Sequence, residues 1–363
     1  MLKVFKYKLQ PNRKQSLALQ RTLDVCRDIF NLSLEQRKMQ RTYAFEQMRQ
    51  LTELKAAYPE YKEVHVHVLQ NVIKKLQRSF ENMWERGAGF PRFKSWKRYN
   101  SFQFNNTGFR LAGRYLQLSK IGNVKLRLSR EIPEDAVIKT LNVKKTVSGW
   151  YACFAVDVPI QLLPKSDTSI GIDLGIENLA ALSNGEMIQN PRLYEKAQAE
   201  LRRAQRRVAR RKKGSHRRYK AVVLLQKLHE HIQNQRLDWA HKVTTDLVRR
   251  FGTIGIENLN IKGLAQGILA KQVHDAGWSQ IVGFLKYKAE HAGTRRIIET
   301  PAPYTSQECP NCGNKKKKSL SERKHKCEKC GYTTHRDTAA AQVILGRIAP
   351  LDAKIGEPIP CLV

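Results

Sequence analysis

Two Cys-x-x-Cys pairs near the carboxyl end constrain the fold of this 363-residue chain more than any other feature. Cys309 and Cys312 form the first pair, Cys327 and Cys330 form the second, and fourteen residues separate them. Four thiolates in two such pairs are typical of a tetrahedral zinc site. With four protein ligands the site is closed, so we expect zinc to be structural. Two redox dithiols are the alternative, but neither pair lies at a strand-to-helix junction.

The remaining cysteines and the amino-terminal sequence indicate a reducing compartment. Cys26, Cys153 and Cys361 are scattered, and the total of seven is odd, which disfavours a disulfide framework. No stretch approaches the ~20 apolar residues of a spanning helix, and the first residues lack the core of a signal peptide. We therefore expect a cytosolic, nucleoid-associated protein that does not use a membrane.

The charge of the chain predicts a polyanionic partner. Lys and Arg total 66 against 32 Asp and Glu, a formal net charge of +34. Phosphate backbones bind such surfaces because binding releases their counterions. Residues 201–220 hold eleven Lys or Arg and no acid, and their spacing predicts one basic helix along a nucleic-acid strand, either RNA or DNA. A solvated charged face is the alternative. The candidate nucleic-acid-binding residues are Arg202, Arg203, Arg206, Arg207, Arg210, Arg211, Lys212, Lys213, Arg217 and Arg218.

Hydrophobic periodicity divides the chain into several parts. A strand at the start precedes a mainly helical region, residues 11–86, and a period of two predicts a β-rich region from 89 to about 159. The opening strand lacks local partners, so we expect it to join the later sheet, with the helices inserted between. After a linker at 164–167, strands and long helices alternate, with one helix expected over 273–292, then the cysteine cluster and an Ala-rich helix. The last fifteen residues contain three prolines and predict a loose tail.

Three acidic residues are candidates for a magnesium site. Asp173 lies within an apolar strand and Glu257 ends a second one, and a buried carboxylate is costly unless it is paired with a cation or hydrogen-bonded. Asp337 precedes the Ala-rich helix. Taken singly, Asp337 fits a helix N-cap, and each strand acid fits an ordinary satisfied polar group. Taken together, they suit an enzyme that cuts phosphodiesters with two metal ions ~4 Å apart. Glu177 lies beyond a glycine and is set aside.

The order of these motifs resembles the TnpB (OrfB) family of transposon-encoded RNA-guided endonucleases, relatives of the ancestors of type V CRISPR effectors. The resemblance is carried by GIDLGIENLA, KKGSHRR, GIENLN, TSQECPNCG, CEKCG and HRDTAAA, and by FKYKLQPNRKQ and CRDIFN near the amino end. It implies that Asp173, Glu257 and Asp337 are the catalytic acids and that the four paired cysteines are the zinc ligands. The family usually has Asn two residues after the last acid, where this chain has Ala339.

The resemblance also implies a multidomain α+β fold. Its parts are a wedge β-barrel (residues 1–10 and 89–163), an inserted helical recognition domain (11–88), an RNase H-like (RuvC) nuclease domain (164–300 and 334–348), a zinc ribbon (301–333) and a flexible tail (349–363). The implied cofactors are structural Zn²⁺ and two catalytic Mg²⁺ ions. The implied partners are a guide RNA from the transposon end and target double-stranded DNA, bound by a monomeric protein.

Three functions remain open at this point. The first is RNA-guided cleavage of DNA by two-metal hydrolysis. The second is an RNA-guided repressor that binds DNA without cutting, which the loss of one acid would favour, although none is lost. The third is a transposase accessory protein that acts without RNA, for which a Tyr or Ser nucleophile in a basic setting is expected and none stands out.

Overall fold

The computed structural model describes residues 1–159, 162–264, 266–267, 270–319 and 322–355. The chain divides into two compact units, Met1–Pro159 and Ile160–Val363. Each unit contains both helices and sheets, so the expected α+β class is confirmed. Cys361 lies outside the described residues.

An antiparallel sheet of seven strands forms the base of the first unit. Its strands are β1 (Leu2–Gln10), β2 (Ser101–Asn105), β3 (Phe109–Ala112), β4 (Tyr115–Leu118), β5 (Gly122–Arg127), β6 (Val137–Thr146) and β7 (Gly149–Asp157). The order across the sheet is β2-β6-β7-β1-β5-β4-β3. The opening strand therefore joins the later strands, as expected, because its alternation buries Phe5, Tyr7 and Leu9.

Three helices lie between β1 and β2: α1 (Arg13–Met39), α2 (Ala44–Ala57) and α3 (Val66–Arg86). A capping box formed by Asn12 and Gln15 starts α1, and Gly87, at φ 64°, ends α3. The first helix buries an apolar face that includes Leu19, Leu23, Cys26, Phe30 and Leu34. The predicted β-rich region begins later than residue 89, because residues 87–100 form no strand and include Pro91, which cannot donate to a strand ladder.

A mixed sheet of five strands forms the base of the second unit. Its strands are β8 (Ser169–Leu174), β9 (Asn178–Leu182), β10 (Met187–Gln189), β11 (Thr253–Asn258) and β12 (Arg296–Pro301), in the order β10-β9-β8-β11-β12. The first three strands run antiparallel, and β11 lies parallel to both β8 and β12. A hairpin turn that includes Asn184 and Gly185 joins β9 to β10.

The other elements of this unit are α4 (Leu193–Ala209), α5 (His216–Arg250), α6 (Ile261–Leu264), α7 (Ala270–Ala276), α8 (Trp278–Ala292), β13 (Lys324–Lys326), β14 (Thr333–His335) and α9 (Arg336–Ile355). Three predictions need correction. The basic stretch is two helices rather than one, because the chain turns at Gly214, at φ 85°. The helix predicted over 273–292 is broken at Gly277, at φ 67°. The predicted tail is helical up to Ile355, and the rest of it lies outside the described residues.

Among the helices in the described part of the chain, we find no candidate for a membrane-spanning segment.

Candidate active site and zinc centre

Two of the three predicted acids emerge side by side at one end of the second sheet. Strands β8 and β11 are parallel, and Ile172 pairs with Ile256. The next residue along each strand is an acid, Asp173 in β8 and Glu257 in β11. Because directly paired residues of parallel strands point to the same face, the two carboxylates share one face near the carboxyl ends of these strands. The sequence alone places each acid on a strand, whereas the pairing register brings them together.

Two glycines allow the helix that carries the third acid to approach these strands. A Cβ atom at Gly171 of β8 would lie 2.0 Å from the carbonyl oxygen of Ala341 in α9. A Cβ atom at Gly255 of β11 would lie 2.9 Å from a side-chain carbon of Ile348 in the same helix. Helix α9 therefore packs directly on both strands, and its first turn contains Asp337. This close packing explains how a residue so distant in sequence reaches Asp173.

The charges of Glu257 and Asp337 act on Asp173. Burial, together with the negative charges of Glu257 and Asp337, raises the pKa of Asp173 to about 8, and the guanidinium of Arg336 partly offsets this rise. Because these two negative charges disfavour ionisation of Asp173, ionising all three acids would place more negative charge at the site than its surroundings stabilise. A bound cation would relieve that repulsion.

The other two acids have distinct surroundings. Burial raises the pKa of Glu257, while a hydrogen bond from the Thr305 side chain and the charge of Arg347 act in the opposite direction. Asp337 is not the N-cap of α9 but lies within its first turn, with Oδ2 3.9 Å from Nδ1 of His335. Among the described His, Cys, Asp and Glu residues, the four paired cysteines form the one group of three or more whose potential ligand atoms all lie within 4.8 Å of one another. The three carboxylates do not all lie within that distance of one another.

Several side chains around the acids were not predictable from the sequence. Arg336 acts on Asp173, and Thr305 acts on Glu257. A single Arg or Thr forms no motif in the sequence that would identify it as part of a site. Trp278, the first residue of α8, donates from Nε1 to the carbonyl oxygen of Gly175 at 3.2 Å, directly beyond the end of β8. Glu177, which was set aside as a candidate ligand, forms an ion pair with Arg323 at 2.7 Å and does not contribute to the pKa rise of Asp173.

The four paired cysteines form the geometry expected of a zinc centre. Sγ atoms of Cys309 and Cys330 lie 3.7 Å apart, and those of Cys312 and Cys327 lie 3.6 Å apart. A tetrahedral zinc with bonds of about 2.3 Å places its sulfurs about 3.8 Å apart, so the thiols fit the ion. The glycine after each Cys-x-x-Cys pair adopts a positive φ, 72° at Gly313 and 73° at Gly331, which allows the tight turn after each pair. The cluster therefore fits a structural zinc site.

The predicted nucleic-acid-binding residues lie on the α4–α5 hairpin. Eight of the ten are exposed, and Arg211 and Arg218 are half-buried. Arg218 has a structural role, because its Nη1 donates to the carbonyl oxygens of Val208 and Arg211 and closes the hairpin. A cleft of about 320 Å³ opens between the two helices. It is lined by Arg207, Arg211, Arg217, Lys220, Ala221 and Leu224, four cations with no acid among them.

Comparison with known proteins decides the family. A protein of Streptomyces pristinaespiralis named "Putative RNA-guided DNA endonuclease" is 33% identical over 94% of this chain and 88% of its own length. A protein of Escherichia coli strain K12 named "Putative RNA-guided DNA endonuclease InsQ" is 30% identical over 95% of this chain and 92% of its own length. The chain belongs to the TnpB (OrfB) family.

Family models agree with membership of the TnpB family, and a solved structure has a similar fold. The model OrfB_IS605, described as "Probable transposase", matches residues 152–267, and the model "Cas12f1-like, TNB domain" matches 278–344. A helix-turn-helix model of the same OrfB group matches 1–44. The fold is similar to that in a cryo-EM structure of a Cas12f1-sgRNA-target DNA complex, with a TM-score of 0.61, 15% identity, and coverage of 92% of this chain and 83% of that one.

Proposed function

We propose that this TnpB-family protein is an RNA-guided DNA endonuclease of a bacterial insertion-sequence transposon, and that it cuts target DNA by magnesium-dependent hydrolysis of phosphodiester bonds. The observation that carries the proposal is that Asp173 and Glu257 follow directly paired residues of two parallel strands, while α9, whose first turn holds Asp337, packs against the same strands. Acids that lie far apart in sequence and repel one another at the end of a sheet are typical of a metal-dependent site rather than of a structural core. The names of the full-length relatives support the same activity.

The second unit is, on this proposal, the RNase H-like (RuvC) nuclease domain. Its strand order supports this, since three consecutive antiparallel strands are followed by two parallel ones on the side of the first strand. The carboxyl ends of parallel strands are a common position for active sites in such sheets. The first unit then supplies the wedge and recognition parts, with the seven-stranded sheet as the wedge and α1 to α3 as the inserted recognition helices.

The donor set at Asp173, Glu257 and Asp337 suits magnesium, which prefers carboxylate oxygens. Bound magnesium supplies Lewis-acid stabilisation of charged oxygens and a lowered pKa for water. Three carboxylates from separate elements also suit the two-ion mechanism of phosphodiester hydrolysis. Within the chain, Arg336 favours the ionised form of Asp173, and the Thr305 side chain favours the ionised form of Glu257, which is the form that binds a metal ion.

The nucleic-acid partners are proposed to be a guide RNA from the transposon end and target double-stranded DNA, bound by a monomer in the cytosol. The basic cleft of the α4–α5 hairpin supports a polyanion at that position. In RNA-guided systems base pairing supplies most of the sequence specificity, so the protein requires shape and positive charge more than base-reading side chains. The formal charge of +34 agrees with a protein that binds nucleic acid mainly through positive charge.

One experiment tests the proposal as a whole. The protein is purified with the RNA that it retains from its native locus, that RNA is sequenced, and a DNA target matching its variable end is incubated with the complex and magnesium. We expect cutting of the matched target and none of a scrambled target of the same length. Absence of bound RNA, or equal cutting of both targets, would overturn RNA guidance. Cutting that continues without divalent ions would overturn the metal-dependent mechanism.

A further inference from the structure

An exposed group of aromatic side chains lies in the first unit and includes none of the residues assigned above. It comprises Trp84 in the last turn of α3 and Phe90, Phe93 and Trp96 in the segment 87–100 that follows; we refer to these four as the aromatic platform. Their exposed fractions are 65%, 50%, 47% and 65%. Large aromatic side chains exposed together are uncommon on a protein that functions alone, and such groups mark binding surfaces.

The aromatic platform is held in place by specific contacts. The side chain of Asn31 in α1 donates to the carbonyl oxygen of Lys94 at 3.0 Å and accepts from the amide of Lys94 at 2.8 Å. Phe80 of α3 stacks on Trp84 with ring centroids 5.6 Å apart, and it meets Phe90 edge to face at 5.5 Å. The segment is therefore fixed to two helices although it contains no regular structure. A surface ordered in this way loses little conformational entropy when it binds a ligand.

Positive charges alternate with these rings. Lys38 places Nζ 4.3 Å from the ring centroid of Phe93, and Lys97 lies 5.1 Å from that of Trp96. Between residues 84 and 98 there are five cations and one acid, Glu85. The cations are Arg86, Arg92, Lys94, Lys97 and Arg98. Exposed rings beside cations are the combination by which proteins bind single-stranded nucleic acid.

We propose that the aromatic platform binds an unpaired stretch of nucleic acid by stacking its bases on Trp84, Phe93 and Trp96, while the neighbouring cations contact the phosphates. The occupant is unpaired because a base within a duplex has both faces covered by its neighbours and has none to offer to a ring. This inference rests on the proposed function and deepens it, since it identifies a surface for strands that are not base-paired. It differs from the α4–α5 hairpin, whose cleft presents charge without aromatic rings.

Binding of the full chain to a 20-nucleotide oligothymidylate tests the proposal. Each stacked base contributes about 1–3 kcal/mol, so we expect Trp84→Leu and Phe93→Leu each to weaken the affinity about tenfold. Trp84→Tyr and Phe93→Tyr retain a ring and should restore most of the affinity. Tyr115→Leu removes an aromatic residue of β4 that is 52% exposed, and it is the matched control, with no change expected. Heparin, a polyanion without bases, should bind wild type and all these variants equally.

Two results would overturn the stacking assignment. One is an equal loss of heparin and oligothymidylate affinity in the Leu variants, which would indicate a general defect in charge or folding. The other is unchanged oligothymidylate binding in those variants. A third possible result is that the wild type self-associates, that Trp84→Leu abolishes this self-association, and that oligothymidylate binding stays unchanged. That result would overturn the proposal and identify a second copy of this chain as the occupant.

Ultraviolet cross-linking of the purified ribonucleoprotein locates the contact in the assembled state. We expect peptides that contain Trp84, Phe93 or Trp96 to carry nucleotide adducts after nuclease and protease digestion. Adducts confined to other segments, such as residues 201–220, would contradict the proposal. Neither measurement requires cleavage. A complex that cross-links at the aromatic platform but does not cut would therefore refute the proposed nuclease and leave the platform assignment intact.

Discussion

At the scale of single residues, the site combines groups that destabilise one another. Asp173 is surrounded by two further acids and by apolar strands, and its pKa is raised to about 8 as a result. Arg336 compensates only in part. Such a cluster costs folding stability, which agrees with a role in binding a cation rather than in holding the core together.

The first prediction concerns the stability of the metal-free protein. The folded state holds a proton on Asp173 up to pH about 8, while the unfolded chain releases it near pH 4, so this group lowers folding stability increasingly as the pH rises between these values. Asp173→Asn cannot ionise and escapes that penalty. We expect its melting temperature, measured without added magnesium, to exceed that of wild type at pH 8 and by much less at pH 5. Glu177→Gln, which neutralises an exposed acid, should show no such pH-dependent gain.

At the scale of elements, the site depends on the contact between α9 and the strands beneath it. Gly171 and Gly255 leave room for the helix backbone and for Ile344 and Ile348. Sequence periodicity predicted the strands and the helix, and the spacing of cysteines predicted the zinc centre, because these depend on residues close together in the chain. The proximity of the three acids depends on the register of the strands and on the close contact with α9. In the sequence, that contact is visible only as two isolated glycines.

The second prediction tests that contact. Gly171→Ala places a methyl group 2.0 Å from the carbonyl oxygen of Ala341, so α9 must shift away from β8. We expect a loss of roughly 3 kcal/mol in the free energy of unfolding and a loss of cleavage, because Asp337 moves with the helix. Gly283→Ala in α8 meets no atom within 4 Å and should change stability by less than about 1 kcal/mol. Chemical denaturation of both variants makes the comparison, and equal stabilities would refute the packing.

The third prediction concerns the zinc centre. Cys309→Ser removes one of four thiols, and we expect the bound zinc, measured by atomic emission, to fall from one per chain towards none. Cleavage should fall as well, because β14 of the ribbon leads directly into α9 and Asp337. Cys153→Ser, in β7 of the first unit, should retain full zinc content. Normal zinc in the Cys309 variant would contradict the assignment of this ligand.

At the scale of the whole molecule, charge and connectivity were predictable, whereas breaks in helices were not. The excess of Lys and Arg predicted a polyanionic partner. The opening strand, which lacks local partners, was predicted to join the later sheet, and in the structure it pairs with β5 and β7. The basic stretch was expected to be one helix, but Gly214 and the cap at Ser215 divide it, because a cap depends on backbone geometry that periodicity does not reveal. The break at Gly277 has the same origin.

The fourth prediction follows from the net charge. The salt dependence of RNA binding is measured as the slope of log affinity against log salt concentration. Removing one cation that binds a phosphate should reduce the magnitude of that slope by about one. Arg206→Gln combined with Arg210→Gln is therefore expected to reduce the slope by up to about two. Lys242→Gln removes a cation of α5 that is paired with Asp238 at 2.7 Å, and it should leave the slope unchanged. A slope unaffected by the double substitution would exclude the hairpin from phosphate binding.

The most direct test of the central claim, that three distant carboxylates form one metal-dependent cutting site, is cleavage by Asp173→Ala measured alongside target binding. We expect the variant, loaded with the same RNA, to bind the matched DNA with unchanged affinity and to cut it at less than about one-thousandth of the wild-type rate, because it lacks a metal ligand. Wild-type cutting by Asp173→Ala would contradict the assignment of this site.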